Sequence, residues 1–427
     1  MHIIDKKLQQ RAHDDNPIKI GIVGAGEMGK GLINQIHRYM PGMKVVAVYN
    51  RAQEKSEMAM KVAGIDKFKN CDTPRDIDKS IQQGQVALTS NDDSLCQAND
   101  IDVIVELTGQ IEFGYDVTIK AFTSGKHVVS FNAELESTFG PLIKQKARDY
   151  GVKYTLGDGD QPGVTLNLYR YVKSMGFTPL VCGNIKGMQD RYRTPATQAA
   201  FAANWGINPV MATNFADGTK IAFEQACIAN ATNMVVSERG MRGYPYDGHI
   251  DDLTDKFDIE ELKSLGGVVD YALGSKPGPG VFVFASANDP LSEKYLSYCK
   301  LGKGPLYSFY VPYHLLFFEL AFSIPRLVDF DDVTLNAAYG MKVEVNTFAK
   351  HDLEPGTKLD GIGGFHTYGM CENFTVSRKE HLVPMGLSEH TVVKRSIPKD
   401  APVTFDDIEF DKDSSVFKWY KEQLSNL

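Results

Sequence analysis

Apolar residues in the first third of the chain follow two different spacings. Short runs rich in Val and Ile, such as "IKIGIV", "MKVVAVYN", "DIDVIVELTG" and "KHVVSFNA", are typical of strands buried on both faces. Between these runs, segments such as "EMGKGLINQIHRYM" carry apolar residues at helical intervals, here Met28, Leu32 and Ile36. Strands that alternate with helices predict a doubly wound parallel sheet of the α/β class with right-handed crossovers.

The pattern changes after residue 157. The segment "FADGTKIAFEQACIANATN" has the apolar content of a buried helix, and "GKGPLYSFYVPYHLLFFELAFSIPRLV" is so apolar and aromatic that it predicts core or subunit interface. Short strands with turn sequences at "EPGTKLDG" and "PKDAPVT" follow, and the chain ends in an amphipathic segment. We therefore expect an α/β domain over residues 1–157, an α+β substrate and dimerisation domain over 158–337, and a small β-rich domain over 338–427.

Composition narrows the class of protein. With 427 residues, of which 43% are hydrophobic and 23% charged, the chain is typical of a globular protein with more than one core. A net charge of −8 without blocks of like charge argues against nucleic acid as a partner. No apolar run has the length of a membrane span, and the N-terminal segment lacks the apolar core of a secretory signal. Because the six cysteines show no metal-ligand or redox spacing, we expect a cytoplasmic protein with reduced thiols.

A glycine-rich turn follows the first strand. Gly24, Gly26 and Gly29 form the pattern G-x-G-x-x-G where a helix begins. In dinucleotide-binding proteins the first glycine permits the tight turn, the second lets the backbone approach the pyrophosphate, and the third lets helix and strand pack closely. The helix N-terminus, here with Glu27 and Met28, offers free N–H groups to phosphate. We predict that this loop binds a dinucleotide; the alternative is a glycine-rich turn in a protein that binds no nucleotide.

The end of the second strand decides between NAD and NADP. An acid at this position would hydrogen-bond the ribose hydroxyls of NAD, but the chain reads Asn50 and then Arg51. A guanidinium can pair with the 2′-phosphate of NADP and stack on its adenine. We therefore predict NADP(H) as the cofactor.

Ligands of doubly wound sheets bind at the carboxyl ends of the strands, where two further segments of the chain are expected. The first segment supplies Thr108 and Gly109, and the second supplies Asn132 and Glu134. We predict that these four residues contact the cofactor.

A third segment, "GDGDQPG", places two acids and an amide in a frame of Gly and Pro directly after a buried strand. Asp158 either faces the substrate or belongs to a turn, and the sequence leaves both interpretations open. Asp160 stands where the N-cap of the following helix is expected. We assign Asp158 a catalytic role and Gln161 a role in substrate binding.

Charged residues interrupt the helix predicted from "FADGTKIAFEQACIANATN". Asp217, Lys220 and Glu224 fall on one stripe at positions i, i+3 and i+7. An exposed stripe would be a solvated face with weak ion pairs. A buried Lys–Glu pair is costly, and functional sites collect such groups. Since the helix is otherwise apolar, we predict that these three residues are buried and catalytic.

Two further segments combine cationic residues with glycine. Asp190 and Arg191 follow an apolar strand, and Arg239 and Arg242 lie in the loop "SERGMRGYPYDGHIDDL". Guanidinium groups suit an anionic substrate such as a phosphate or carboxylate. We predict that these four residues bind the substrate; the alternative is a polar surface loop.

The segments "GIVGAGEMGKG", "IDVIVELTG" and "HVVSFNAE" resemble the homoserine dehydrogenase group of oxidoreductases, which has a Thr-Ala-Asn-Lys stretch at the place of the third. Glu134 replaces that lysine, which puts homoserine in doubt as the substrate. The C-terminal part resembles a SAF domain. Together with "GDGDQPG", "GNIKG" and "DGTK…FEQACIANAT", this arrangement resembles the deoxyxylulose-phosphate reductoisomerase-like (DRL) oxidoreductases over almost the whole chain.

The resemblance implies a Rossmann domain and NADPH chemistry. Some members of the DRL family convert 1-deoxyxylulose 5-phosphate to methylerythritol phosphate in isoprenoid synthesis. Such a rearrangement passes through enediolate-like charge, which Lys186 and Lys220 would stabilise. A Mg²⁺ or Mn²⁺ ion bound by Asp158, Asp160 and Glu224 would serve the same purpose.

Three functional hypotheses follow. We expect a homodimeric NADPH-dependent oxidoreductase that acts on a small anionic hydroxy-carbonyl compound, with a phosphorylated sugar and reductoisomerase chemistry as the specific choice. The first alternative is a dehydrogenase of a polyol, sugar acid or semialdehyde without rearrangement. The second is a cofactor-binding scaffold or sensor in which the SAF-like module contacts a partner.

Overall fold

The structure is a computed structural model that describes residues 2–389, 391–411 and 413–426. Among these residues, no helix combines the length and apolar composition needed to cross a bilayer.

Sixteen strands are present in the described part of the chain. In chain order they are β1 (Ile18–Val23), β2 (Met43–Tyr49), β3 (Phe68–Asn70), β4 (Val86–Thr89), β5 (Val103–Glu106), β6 (His127–Ser130), β7 (Tyr154–Leu156), β8 (Thr178–Lys186), β9 (Tyr244–Pro245), β10 (Val268–Leu273), β11 (Gly280–Ser286), β12 (Leu306–Val311), β13 (Val343–Ala349), β14 (Thr367–Asn373), β15 (Val392–Val393) and β16 (Ile408–Glu409).

Sixteen α-helices and two 3₁₀ helices, Ile250–Lys256 and Met385–Leu387, accompany the strands within the described residues. The α-helices are α1 (His2–His13), α2 (Glu27–Tyr39), α3 (Gln53–Ala63), α4 (Pro74–Gln82), α5 (Asp92–Gln97), α6 (Ile111–Thr123), α7 (Ala133–Asp149), α8 (Gln161–Ser174), α9 (Pro195–Trp205), α10 (Pro209–Ala216), α11 (Thr219–Thr232), α12 (Ile259–Leu265), α13 (Pro290–Tyr298), α14 (Phe317–Phe330), α15 (Phe374–Lys379) and α16 (Ser415–Asn426).

The chain forms two compact units that interleave in sequence. The first unit comprises Met1–Glu136, Gly140–Gly163 and Leu315–Asn336. The second unit comprises Ser137–Phe139, Val164–His314 and Ala337–Leu427.

A seven-stranded parallel sheet forms the centre of the first unit. Its strand order is β3-β4-β2-β1-β5-β6-β7, and every neighbouring pair is parallel. The predicted doubly wound fold is confirmed. The strands β2, β4 and β3 lie on one side of β1, and the later strands β5, β6 and β7 lie on its other side. The topological switch point is therefore at β1. The glycine-rich turn therefore begins at the position where such sheets bind ligands.

The aromatic segment near residue 320 belongs to the core of this first unit. Leu320, Ile324 and Leu327 of α14 are buried in the same apolar cluster as the β1 residues Ile20 and Ile22. The helix covers apolar side chains of the sheet, so residues 315–336 fold with the first unit although they follow about 150 residues of the second.

A five-stranded mixed sheet forms the centre of the second unit. Its order is β12-β11-β8-β10-β9, with β8 parallel to β10 and antiparallel to β11. Apolar side chains such as Phe282 and Phe284 pack against the 3₁₀ helix Ile250–Lys256 and against α12. Helix α11 packs against β8 and β10 and also against β13 and β14. It is therefore enclosed between two sheets of the same unit, as its apolar sequence predicts.

The C-terminal part of the second unit is built from short strands. β13 and β14 form an antiparallel pair, and β15 pairs with β16. Helix α16 packs back on this part, because the Tyr420 hydroxyl donates a hydrogen bond to the buried Glu344 carboxylate at 3.2 Å. Among the described residues, this part therefore contains four strands, two α-helices and one 3₁₀ helix.

Candidate active site

The glycine-rich turn has the geometry that a pyrophosphate requires. Gly24 adopts a φ of +106°, which L side chains rarely reach. A Cβ on Gly29 would lie 2.0 Å from the Gly24 carbonyl oxygen, so only glycine permits this approach of helix and strand. Gly26 caps α2, and a Cβ there would meet nothing within 4 Å. The space beside Gly26 and the first N–H groups of α2 can therefore receive a phosphate group.

Asn50 is part of the same turn. Its Oδ1 accepts a hydrogen bond from the Ala25 N–H at 3.0 Å, and its Nδ2 donates to the Ala52 carbonyl at 2.7 Å. The amide thus fixes the turn from the neighbouring strand. The next side chain, Arg51, is exposed to solvent at the edge of the sheet where the adenosine ribose is expected.

Glu106, the last residue of β5, organises the two loops that follow β5 and β6. Its carboxylate is completely buried and accepts hydrogen bonds from the Thr108 N–H at 2.6 Å, from the Thr108 hydroxyl, and from the Ser130 hydroxyl at 3.1 Å. Burial raises the pKa of Glu106, although these donors oppose the shift. Sequence analysis missed this residue, yet an acid at the end of the apolar run "VIVE" is an available indication.

Asn132 fixes the loop after β6. Its Oδ1 accepts from the Leu135 N–H at 3.0 Å at the start of α7, and its Nδ2 donates to the Gln110 carbonyl at 3.0 Å. The predicted cofactor residues Thr108 and Asn132 therefore lie together at one edge of the sheet. Gly109 is exposed with a φ of +66°, and Glu134 is buried.

The "GDGDQPG" turn is held by backbone contacts within the first unit. The Asp158 N–H donates to the Ser323 hydroxyl at 2.7 Å, and the Asp158 carboxylate accepts from the Gly159 N–H at 2.9 Å. Arg326 lies 3.8 Å from the same carboxylate. Asp160 directly precedes α8, and its carboxylate accepts a hydrogen bond from the N–H of the first helical residue, Gln161, at 3.0 Å.

The predicted metal role of Asp158, Asp160 and Glu224 receives no support from the arrangement of ligands. Within the described ranges, no group of three or more His, Cys, Asp or Glu side chains is placed to bind a metal ion.

Helix α11 buries a lysine and a glutamate one turn apart. Lys220 is 9% exposed and Glu224 is 3% exposed, so the predicted burial of both side chains is confirmed. Asn184 of β8 donates a hydrogen bond from its Nδ2 to the Glu224 carboxylate at 2.7 Å. Lys186 stands two residues beyond Asn184 on the same face of the strand and is half-buried. We call Asn184, Lys186, Lys220 and Glu224 the α11 polar face.

Asp217 is separated from this group. It is the C-cap of α10 rather than a residue of α11, and its carboxylate accepts from Lys350 Nζ and from the Thr219 N–H, both at 2.9 Å. Burial raises the pKa of Asp217, and Lys350 opposes the shift. Lys350 also donates to the carbonyls of Arg193 and Gly364, each at 2.7 Å. The structure thus shows Asp217 in a buried ion pair.

The predicted arginines line a cavity of about 270 Å³ at the start of α11. We call it the arginine cavity; its wall includes Arg191, Arg239, Arg242, Gln189, Tyr271 and Tyr368. Asp190 precedes it in a turn, where its carboxylate accepts from the Tyr192 N–H at 3.1 Å and lies 3.1 Å from Arg193 Nε.

The arginine cavity and the α11 polar face lie on different sides of α11. Gly218, Ile221 and Ala222 line the cavity. Lys220 and Glu224 do not line the cavity, and each lies about 160° around the helix axis from Ala222, whereas Ile221 lies between the two sides, about 60° from Glu224. The structure therefore brings Lys220 and Glu224 together but does not place them with the arginines.

Two family models match successive parts of the chain. Residues 18–130 match "Oxidoreductase family, NAD-binding Rossmann fold", and residues 159–320 match "Oxidoreductase DRL, catalytic domain". The first match agrees with the glycine turn and the parallel sheet and gives this region the Rossmann fold of an oxidoreductase family. More particularly, the second match confirms the predicted resemblance to DRL oxidoreductases for residues 159–320.

Curated relatives match about a third of the chain. A homoserine dehydrogenase of Pseudomonas aeruginosa is 32% identical over 136 residues, which cover 32% of this chain and 28% of that protein. A homoserine dehydrogenase of Synechocystis sp. is 25% identical over 138 residues and is also covered over 28% of its length. The chain thus spans less than a third of the length of these relatives.

Solved structures show more distant similarity. Scyllo-inositol dehydrogenase from Lactobacillus casei, with bound NAD(H) and scyllo-inositol, has a TM-score of 0.42 and 15% identity and covers 75% of this chain and 92% of its own. The 1-deoxy-D-xylulose 5-phosphate reductoisomerase from Zymomonas mobilis, in complex with NADPH, has a TM-score of 0.35 and 17% identity and covers 49% of this chain and 56% of its own.

Proposed function

We propose that the protein is an NADPH-dependent oxidoreductase that reduces the carbonyl group of a small anionic hydroxy-carbonyl compound. The observation that carries this proposal is the burial of Lys220 and Glu224 on α11, inside the region that matches the DRL catalytic domain. Buried ionisable pairs are costly to retain, and active sites are where such groups are used.

The choice of NADPH rests on Asn50 and Arg51. Both polar atoms of the Asn50 side-chain amide already form hydrogen bonds with the backbone near the glycine turn. No acid follows β2 in the position that binds the ribose hydroxyls of NAD. The exposed Arg51 guanidinium can pair instead with a 2′-phosphate.

The chemistry is assigned to the α11 polar face. When bound, NADPH supplies the hydride that adds to the carbonyl carbon of the substrate. Lys220 stabilises the negative charge that develops on the carbonyl oxygen and gives that oxygen a proton, which solvent restores. Asn184 orients Glu224 through the bond at 2.7 Å, and Glu224 provides a negative charge one helical turn from Lys220.

Two substrate classes are consistent with this chemistry. The first is a phosphorylated ketose that rearranges before reduction, as in 1-deoxyxylulose 5-phosphate reductoisomerases of isoprenoid synthesis; Lys186 and Lys220 would stabilise the enediolate-like intermediate. The second is a polyol, sugar acid or semialdehyde that exchanges a hydride with the cofactor without rearrangement: a hydroxyl group of the polyol or sugar acid is oxidised by NADP⁺ to a carbonyl group, and the semialdehyde is reduced by NADPH. The second class is supported by the curated homoserine dehydrogenases, which match about a third of the chain.

The cofactor assignment is tested by binding titrations with NADPH and NADH. Arg51→Gln removes the 2′-phosphate contact and is expected to weaken NADPH binding about tenfold while NADH binding stays within about twofold. Arg75→Gln, which removes another exposed guanidinium of the same unit, is the matched control. Equal loss of both cofactors, or no loss of either, would contradict the choice of NADP.

The chemistry is tested by a screen of NADPH oxidation against phosphorylated ketoses and semialdehydes, and of NADP⁺ reduction against polyols and aldonates, with and without Mg²⁺ or Mn²⁺. With the substrate found, Lys220→Met is expected to lower kcat by about a thousandfold or more and to leave NADPH affinity unchanged. Turnover that survives in Lys220→Met would overturn the assignment. NADPH binding without oxidation of any substrate class would favour the scaffold or sensor alternative.

A further inference from the structure

The arginine cavity is an enclosed polar space that the proposed reduction does not use. It lies beside Gly218, Ile221 and Ala222 at the start of α11, whereas Lys220 and Glu224 project from the other side of the helix. We propose that the arginine cavity is a binding site for a small hydroxy-carboxylate, separate from the site at which the carbonyl substrate is reduced.

The charges of the cavity wall nearly cancel. Arg239 is paired with Glu372 at 2.7 Å and Glu380 at 2.6 Å, and Arg242 is paired with Glu261 at 2.5 Å. Because these three carboxylates balance the formal charge of the three guanidinium groups, the wall offers little attraction to a dianion such as phosphate. The N–H groups that these arginines do not use for ion pairs remain hydrogen-bond donors.

Arg191 supplies a guanidinium group that is held against a tyrosine, with the charge of Asp400 nearby. Its guanidinium lies 5.4 Å over the Tyr368 ring and 3.4 Å from the Tyr368 hydroxyl, and it forms no ion pair within the described part of the chain. Asp400 holds this arrangement, since it accepts from Tyr368 at 3.0 Å and from Tyr192 at 2.7 Å. Arg191 is therefore held at the cavity in a position to bind a carboxylate.

The remaining wall suits hydroxyl groups. Gln189 donates from Nε2 to the Tyr271 hydroxyl at 3.1 Å, so both side chains present polar groups to the space. Glu238, exposed at the rim, can accept hydrogen bonds from ligand hydroxyls. The volume of about 270 Å³ corresponds to a molecule of roughly ten non-hydrogen atoms. These features together select a carboxylate with several hydroxyl groups.

The test is isothermal titration of the full chain with threonate, xylonate and gluconate, with glucitol and inorganic phosphate as comparison probes. We expect saturable binding of at least one aldonate below about 10 mM, weaker binding of phosphate, and none of glucitol. Arg191→Met is expected to weaken aldonate binding about tenfold, and Arg75→Met is expected to leave it unchanged.

Separation from the α11 polar face is tested with Lys220→Met and Glu224→Gln. Both variants are expected to bind the aldonate within about twofold of the unaltered protein, because they lie on the other side of the helix. If either variant folds and loses aldonate binding as far as Arg191→Met does, the two sites are one and the proposal is overturned. The proposal also fails if no aldonate binds, or if phosphate binds more tightly than every aldonate.

Discussion

The two units stabilise a buried carboxylate in different ways. In the first unit, Glu106 is surrounded by neutral donors: the Thr108 backbone N–H and the hydroxyls of Thr108 and Ser130. In the second unit, Asp217 is bound by the ammonium group of Lys350 at 2.9 Å, and that ammonium also serves two backbone carbonyls. Neutral donors reduce the cost of burying a charge, whereas a lysine also compensates its sign.

A third buried acid shows whether the type of hydrogen-bond partner depends on the unit in which the acid lies. Glu344 lies in the second unit, like Asp217, but is held by the hydroxyls of Ser377 at 2.6 Å and Tyr420 at 3.2 Å, like Glu106. Burial raises the pKa of Glu344 to about 7, against the lowering effect of Ser377, Tyr420 and Arg378. Glu344 is therefore expected to change its protonation state near neutral pH.

The largest expected effect is at Lys350. Lys350→Met leaves Asp217, which is 1% exposed, as an uncompensated buried charge, and should lower the free energy of unfolding by roughly 3 to 5 kcal/mol. Urea denaturation measures the loss. The double variant Lys350→Met/Asp217→Asn should recover part of it. A loss below about 1 kcal/mol in the single variant would show that the ion pair matters no more than a surface pair.

The second largest effect is the pH dependence that Glu344 gives to the free energy of unfolding. Its folded pKa of about 7 exceeds its ordinary value of 4.5, so the folded state binds the proton more tightly than the unfolded state. The stability from this group is present below pH 4.5 and is lost as pH rises through 7, a decrease of up to about 3 kcal/mol. Denaturation at a series of pH values should show this slope, and Glu344→Gln should remove it.

A smaller effect is expected at Glu106. Glu106→Ala leaves the Thr108 and Ser130 donors without an acceptor, at a cost of about 2 kcal/mol in the free energy of unfolding. The loops after β5 and β6 lose their common anchor, so NADPH binding should weaken by about tenfold as well. Unaltered NADPH affinity in a folded Glu106→Ala protein would restrict Glu106 to a purely structural role.

The smallest change in the free energy of unfolding is expected for two matched variants, each of which removes one hydroxyl group. Ser130→Ala removes one donor from Glu106 at 3.1 Å, and Ser377→Ala removes one donor from Glu344 at 2.6 Å. Each should lower the free energy of unfolding by about 1 kcal/mol. Because Ser130 belongs to the loop edge of the dinucleotide site, only Ser130→Ala should also change NADPH binding.

The parts of the fold that could be predicted from sequence depend on neighbours along the chain. The glycine turn is one example, since Gly24, Gly26 and Gly29 act through backbone conformation and close approach within a few residues. The parallel sheet is another, because its strands and crossover helices each carry their own apolar spacing. The burial of Lys220 and Glu224 followed from the apolar residues around them.

The features that could not be predicted depend on residues far apart in sequence. Lys350 lies 133 positions from Asp217, and no local pattern joins them. The arginines of the cavity were recognised, but their partners Glu261, Glu372 and Glu380 were not, so their balanced charge was not foreseen. The opposite sides of α11 also become apparent only when the neighbouring sheets are placed around the helix.

The return of residues 315–336 to the first unit has a consequence for synthesis of the protein. A ribosome releases the seven strands of the parallel sheet long before it makes α14, whose Leu320, Ile324 and Leu327 cover the apolar side chains of that sheet. Until α14 is made, the apolar side chains that it covers remain exposed to solvent in the nascent chain. We expect truncated chains that end before residue 315 to bind holdase chaperones, and chains that extend beyond residue 336 to be released from them.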